Sequence, residues 1–164
     1  MNIIFLDIDG VLHNPWKLPT TLSPSEHIKY FNPEAIKNLD IILDTVENCR
    51  IVISSSWRLY GDLDHVRKLF RGFRFVNYII GSTPFIGPTD RPKEIIQWLQ
   101  HATINIRNFI VIDDYPLGMN IFKDKYIQTN ENRLLDAEAK NKAIDSLLYS
   151  TSIININLDE CCIL

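Results

Sequence analysis

Short, almost continuous apolar runs alternate along the chain with longer stretches in which apolar residues recur every three or four positions. The runs at 3–6, 51–53, 75–80, 109–112 and 126–129 are rich in β-branched and aromatic residues, and each predicts a buried strand. Between them, Ile36, Leu39, Ile42 or Leu43, and Val46 form one helical stripe, and Val66, Leu69 and Phe70 a second. Ile95, Ile96, Trp98 and Leu99 mark a third, and Leu134, Leu135, Ala139, Ala143, Ile144, Leu147 and Leu148 a fourth. Asn32 followed by Pro33 predicts an N-cap with proline at the first helical position; Asp62 or Asp64, Asp90 and Asn132 are the expected starts of the others. Strands alternating with helices predict an α/β fold: a central, mainly parallel sheet flanked by helices. Residues 13–33 break the pattern. Pro15, Pro19, Pro24 and Pro33 argue against a regular helix there, and so long an irregular segment is expected to be a lid or binding loop. One domain over residues 1–150 and a less patterned tail over 151–164 are expected, with Ile153, Ile154 and Ile156 as an edge strand or core packing.

Composition narrows the class without naming it. A chain of 164 residues with net charge -3 suits a single domain with a sizeable core. No basic excess marks a nucleic-acid footprint, no run is long enough to span a membrane, and no basic, cleavable leader opens the chain. A cytoplasmic monomer is the expectation. Cys49 falls between a helix and a strand and reads as core filler.

Chemistry concentrates where the runs end. Asp7 and Asp9 close the first strand, and residues two apart on a strand face the same way. Two carboxylates that close raise each other's pKa unless a cation sits between them, and hard oxygen ligands favour Mg2+. Gly10 then permits a tight turn or close approach. The alternative is a solvated strand end beginning a turn. A second pair, Asp113 and Asp114, ends another buried strand; parallel connections bring both pairs to one sheet edge, where they can share one cation. Ser54, Ser55 and Ser56 end the second strand, suited either to holding phosphate oxygens or to capping a helix. Arg91 and Lys93 lie in a helix's first turn, where the dipole prefers anions; an anionic site is one reason for them, an ordinary surface the other. His13 and Trp16 follow the first pair. Trp16 either covers the site or anchors the loop on the core.

These four clusters, taken in chain order with Asp113-Asp114 last, resemble the haloacid-dehalogenase-like (HAD) hydrolase superfamily over residues 1 to about 148. Ser-Ser-Ser-Trp-Arg at 54–58, with Arg91 and Glu94 before Trp98, looks most like the small, cap-poor branch that includes HAD domains of RNA repair proteins. The resemblance implies a Rossmann-like fold with a minimal cap or none, and a magnesium-dependent phosphomonoesterase. Asp7 would be the nucleophile that becomes an aspartyl-phosphate, and Asp9 the general acid/base whose backbone carbonyl also faces the metal. Ser54 and the Ser55 N–H would hold the phosphoryl group, and Lys93 or Arg91 would neutralise charge. Asp113 would be a direct metal ligand and Asp114 a direct or water-mediated one. Asp9 itself argues for a phosphatase rather than a dehalogenase. The short span from Ser54 to Asp90 leaves an open site, expected to admit a bulky substrate such as a nucleic-acid end or a phosphoprotein. Gly10, His13, Trp16, Trp57 and Arg58 are candidate substrate contacts; Trp57 can equally be core, with Arg58 paired to an acidic neighbour.

The chain closes on Cys161-Cys162-Ile163-Leu164, which matches a prenylation box centred on Cys161. That reading implies a prenyltransferase partner, a lipid anchor on a cytosolic membrane face, and a eukaryotic protein or a bacterial one delivered into a host cell. The alternative is a plain apolar tail. Two other functional readings share the fold: a noncatalytic, membrane-targeted binding protein, and a phosphotransferase passing the phosphoryl group to an acceptor other than water.

Overall fold

The computed structural model describes residues 1–149. Five strands, β1 (Asn2–Leu6), β2 (Cys49–Ile53), β3 (Ile79–Ser82), β4 (Asn108–Asp113) and β5 (Tyr126–Gln128), form one sheet in the order β3-β2-β1-β4-β5. Every pairing is parallel. This is a Rossmann-like α/β fold, with β1 at the centre and helices on both faces. The helices are α1 (Pro24–His27), α2 (Pro33–Thr45), α3 (Leu63–Leu69), α4 (Arg91–His101) and α5 (Ala137–Tyr149).

Alternation along the strands builds two cores. Ile4, Leu6, Ile51, Ile53, Ile110 and Ile112 pack with Leu39 and Ile42 of α2, Val66 of α3 and Ala143 and Leu147 of α5. Ile3, Phe5, Val52, Phe109 and Val111 face the other way, onto Ile95 and Ile96 of α4 and onto Met119 and Phe122. Phe5 meets Trp98 and Phe109 edge-on, at 5.4 and 5.9 Å between ring centroids. Cys49 is buried among these side chains, and burial pushes its thiol up to about 12, as befits inert core filler.

Four local expectations are corrected. The prolines of residues 13–33 start helical turns rather than preventing them. Pro15 opens a 3-10 turn (Pro15–Lys17), and Pro24 opens α1 behind a Ser23–Glu26 capping box, where a missing N–H costs nothing. The β-rich stretch at 75–80 begins as a 3-10 turn (Arg74–Tyr78), and β3 starts only at Ile79. Phe75 is drawn out of any strand by a ring cluster with Phe70 and Phe73, at 5.4 and 5.5 Å, so packing overrides propensity. The last helix begins at Ala137 instead of near Asn132. Leu134 takes a left-handed turn, and the Asp136 carboxylate accepts from the Ala139 N–H at 2.9 Å. Asp90 precedes α4 without capping it by its side chain, which pairs with Lys93 at 3.1 Å.

No helix among the described residues is long and apolar enough to cross a membrane. The Cys161 box and the isoleucines at 153–156 lie outside the described residues.

Candidate active site

Register places the site. Leu6 is level with Ile53 on one side and Ile112 on the other, so the next residues, Asp7, Ser54 and Asp113, leave three adjacent strands at the same height. The ladder continues through them: the Asp7 N–H donates to Ile112 O at 3.0 Å and the Ser54 N–H to Leu6 O at 2.9 Å. All three share the parity of Phe5, Val52 and Val111, the face covered by α4. Arg91, the first residue of α4, meets them there. Its Nη1 lies 2.8 Å from Asp7 Oδ2 and 2.5 Å from Asp113 Oδ2. Lys93, two residues on, turns back to Asp90.

Asp7, Asp113 and Asp114 each bring a carboxylate oxygen within 4.8 Å of the others. Burial first, then the Asp7 charge, raises Asp113 to about 7 against the pull of Arg91. Burial and Asp7 likewise raise Asp114 to about 6. Burial works to lower Arg91, but the carboxylates of Asp7 and Asp113 outweigh it and hold the guanidinium above its usual value. One guanidinium therefore faces three carboxylates, and two of those resist ionising. Oxygen donors short of positive charge are what a hard divalent cation completes, so the residues present fit such an ion. Gly10 makes the third donor possible. It sits at φ +69°, and a Cβ there would fall 2.3 Å from the Asp114 carboxyl carbon. The buried Thr129 hydroxyl fixes the same turn by donating to Gly10 O at 2.9 Å.

Ser54 is fully buried, and its Oγ has no hydrogen-bond partner among the described residues. A buried hydroxyl left unpaired beside three carboxylates and an arginine suits an oxygen-rich ligand. Ser55 is committed differently: its Oγ accepts from the Trp57 N–H at 3.4 Å.

A family profile described as the HAD domain in Swiss Army Knife RNA repair proteins matches residues 3–139. The chain belongs to this HAD family. No curated protein and no solved structure matches the chain significantly. Membership and the aspartate cluster together support hydrolase activity in this HAD domain, with Asp7, Asp113 and Asp114 placed so that they could hold a metal ion. The match stops short of the tail, so it does not bear on Cys161.

The remaining candidates of this HAD domain divide sharply. Asp9 does not join the metal cluster through its side chain. Its two oxygens accept from the Trp57 indole N–H at 3.1 and 3.2 Å, and Oδ1 lies 2.8 Å from His13 Nε2. Trp57 and His13 are both buried, Trp57 stacked on Phe70 at 5.6 Å and His13 on Phe31 at 5.2 Å. They stand behind Asp9 rather than facing a substrate. Arg58 is also turned inward. It donates to Ser55 O at 2.6 Å and to Glu94 Oε2 at 2.5 Å, and burial lowers its pKa despite Glu94. Trp16 neither anchors the loop nor reaches the core: it is 64 % exposed. Glu94, buried and accepting also from the Ile86 N–H at 2.9 Å, is the acidic partner of Arg58, a role the sequence had not assigned to it. Its signal was a carboxylate on the apolar side of α4, between Arg91 and Ile95.

Proposed function

We propose that this HAD domain is a magnesium-dependent phosphomonoesterase that works through an aspartyl-phosphate on Asp7, with a phosphorylated nucleic-acid end as substrate. The observation carrying it is the convergence of Asp7, Asp113, Asp114 and Arg91 at one sheet edge beside an unpaired Ser54 hydroxyl. Arg91 pairs with one Asp7 carboxylate oxygen and orients the group, leaving the other oxygen to attack phosphorus. The phosphorus–oxygen bond to the leaving group breaks as the Asp7 oxygen bonds to phosphorus, and Asp9 gives its proton to the departing oxygen. Asp9 then takes a proton from water, whose oxygen attacks the phosphorus and returns Asp7 to a carboxylate. The Ser54 hydroxyl donates to a phosphoryl oxygen throughout. Asp7, Asp113 and Asp114, together with the Asp9 carbonyl, would hold a magnesium ion, which would supply charge neutralisation between nucleophile and phosphate.

Two features support a macromolecular substrate over a small one. Between β2 and α4 the chain places only α3, short turns and β3, so among the described residues no cap domain closes over the edge. The family description names RNA repair proteins. A phosphoprotein shares the first argument and lacks the second. The test is phosphate release by wild type and D7N from phosphorylated RNA and DNA ends, phosphopeptides, nucleotides and an aryl phosphate, with magnesium or chelator. Magnesium-dependent release that is fastest for nucleic-acid ends and absent in folded D7N is expected. Unchanged turnover in D7N sinks the mechanism, and a phosphopeptide turned over fastest sinks the substrate assignment.

A further inference from the structure

Exposed aromatic rings are distributed unevenly over the described surface. Trp16, Tyr30, Tyr60, Phe85 and Tyr115 are each half or more exposed, and all five lie on segments that leave the carboxyl ends of β1 to β4. The opposite edge has one comparable ring, Tyr149 at the end of α5. Single exposed apolar residues are ordinary, whereas a ring of them around one edge marks a contact surface.

Three of the five are tied to the catalytic groups, two through one intervening side chain and one through its backbone N–H. The Tyr60 ring meets Trp57 edge-on at 6.0 Å, and Trp57 bonds Asp9. The Phe85 ring lies 5.9 Å from the Arg58 guanidinium, which holds Ser55 O. The Tyr115 N–H donates to Asp113 Oδ1 at 2.9 Å. Planar apolar groups thus flank a phosphate-handling centre on several sides. Close to the phosphate site the cations are paired: Arg58 with Glu94, Arg91 with Asp7 and Asp113, and Lys93 with Asp90. Near the phosphate the rings are therefore the groups left to meet a ligand, with Lys17 and Lys29 exposed further out beside Trp16 and Tyr30.

We infer that Tyr60, Phe85 and Tyr115, with Trp16 and Tyr30 further out, form a stacking rim for the unpaired bases next to the phosphorylated terminus. The substrate class is then a single-stranded nucleic-acid end, held by ring faces that accept any base. This deepens the phosphatase reading and rests on it. A protein partner fits the bare fact of exposed rings, but it does not explain why they encircle the phosphate site or why aromatic rather than aliphatic side chains are the most frequent there.

The experiment compares kcat/KM for a phosphorylated single-stranded hexanucleotide, the same end in a blunt duplex, the mononucleotide and an aryl phosphate. Both 5′- and 3′-phosphates are used, with full-length wild type, Y60L, F85L and Y115L. Leucine keeps an apolar side chain and removes the ring. The readout is the hexanucleotide-to-aryl-phosphate ratio, which cancels general damage to the site. Wild type should prefer the single strand over both the mononucleotide and the blunt duplex, and each ring lost should lower the ratio about 5- to 150-fold. Equal constants for hexanucleotide and mononucleotide, or ratios unchanged in all three variants, overturn the rim, and a protein-docking surface predicts that result. Aryl phosphate turned over without any hexanucleotide turnover overturns the rim while the phosphatase reading stands. If no ester turns over, that reading fails separately, and fluorescence polarisation of a labelled phosphorylated hexanucleotide decides the rim: binding weakened by F85L supports it, and absence of binding overturns it.

Discussion

Replacing Trp57 with phenylalanine should slow the enzyme selectively, according to how badly the leaving oxygen needs a proton. The indole N–H is shared between the two Asp9 oxygens at 3.1 and 3.2 Å, and phenylalanine keeps most of the ring packing against Phe70 while deleting that donor. A hydrogen bond to a charged group contributes about 1.5–3 kcal/mol; one shared between two acceptors belongs at the low end. At about 1.5 kcal/mol the loss is roughly tenfold in rate. It should appear in kcat/KM for alkyl and nucleotide esters, whose leaving alkoxide must be protonated as it departs. A dinitrophenyl ester, whose leaving oxygen is stable as an anion, should lose little. The ratio kcat/KM reports only steps up to formation of the aspartyl-phosphate, so the later role of Asp9 toward water does not blur the comparison. Thermal unfolding of the same variant separates any packing loss. Equal slowing of both esters would refute the reasoning, since a structural defect spares neither.

Other outcomes follow from the same geometry. Asp113 and Asp114 have folded pKa values raised to about 7 and about 6 from an ordinary 3.8, so the folded state binds more protons than the unfolded chain between roughly pH 4 and 7. Metal-free protein should therefore lose stability as pH rises through that window, and the increase in Tm produced by magnesium should grow over it; a flat Tm in chelator from pH 5 to 7.5 contradicts this. Gly10→Ala combines a left-handed φ with a Cβ 2.3 Å from the Asp114 carboxyl carbon, so it should cost at least about 1–2 kcal/mol and weaken magnesium binding, read by unfolding and by a metal titration. Ser54→Ala removes a buried hydroxyl that has no partner, so Tm should hold or rise while phosphate inhibition of turnover weakens; a clear drop in Tm would mean the hydroxyl is already satisfied. Breaking the buried Arg58–Glu94 pair in Glu94→Gln strands a guanidinium and should cost about 3–5 kcal/mol, measured by denaturant unfolding, with less for a paired replacement of both residues.

The carboxylates and Ser54 were legible because they depend on little besides parallel strands with level ends. Alternation then puts Asp7, Ser54 and Asp113 on one face. The choice between Arg91 and Lys93 depends on the rotation of α4, which burial of Ile95 and Ile96 against Phe5 and Val111 decides. Arg91 lies four residues before Ile95 and shares its face, while Lys93 points aside. The pattern held this answer only once the helix start was known. The inward turn of Trp57 and Arg58 was legible only as one of two alternatives, and that of His13 not at all. It depends on partners 36 to 48 residues away for the first two and on the bend at Gly10 for the third. The stretch at 75–80 misled for a similar reason, since Phe75 answers to Phe70 and Phe73 rather than to its own propensity.

The Arg58–Glu94 pair joins two separate crossovers of the chain. Arg58 clasps the backbone just after Ser54, and Glu94 sits one helical turn beyond Arg91 while also gripping the Ile86 N–H. Charges that deep are costly to desolvate, and what they secure is a cross-brace. The hydroxyl cradle and the guanidinium stand on one stiff frame, so an arriving phosphoryl group meets a mould already cast. On the phosphatase reading, such a frame asks for no rearrangement of these two groups before the chemistry. The outer loops, free of that frame, can diverge toward new targets while the chemistry beneath them keeps its shape.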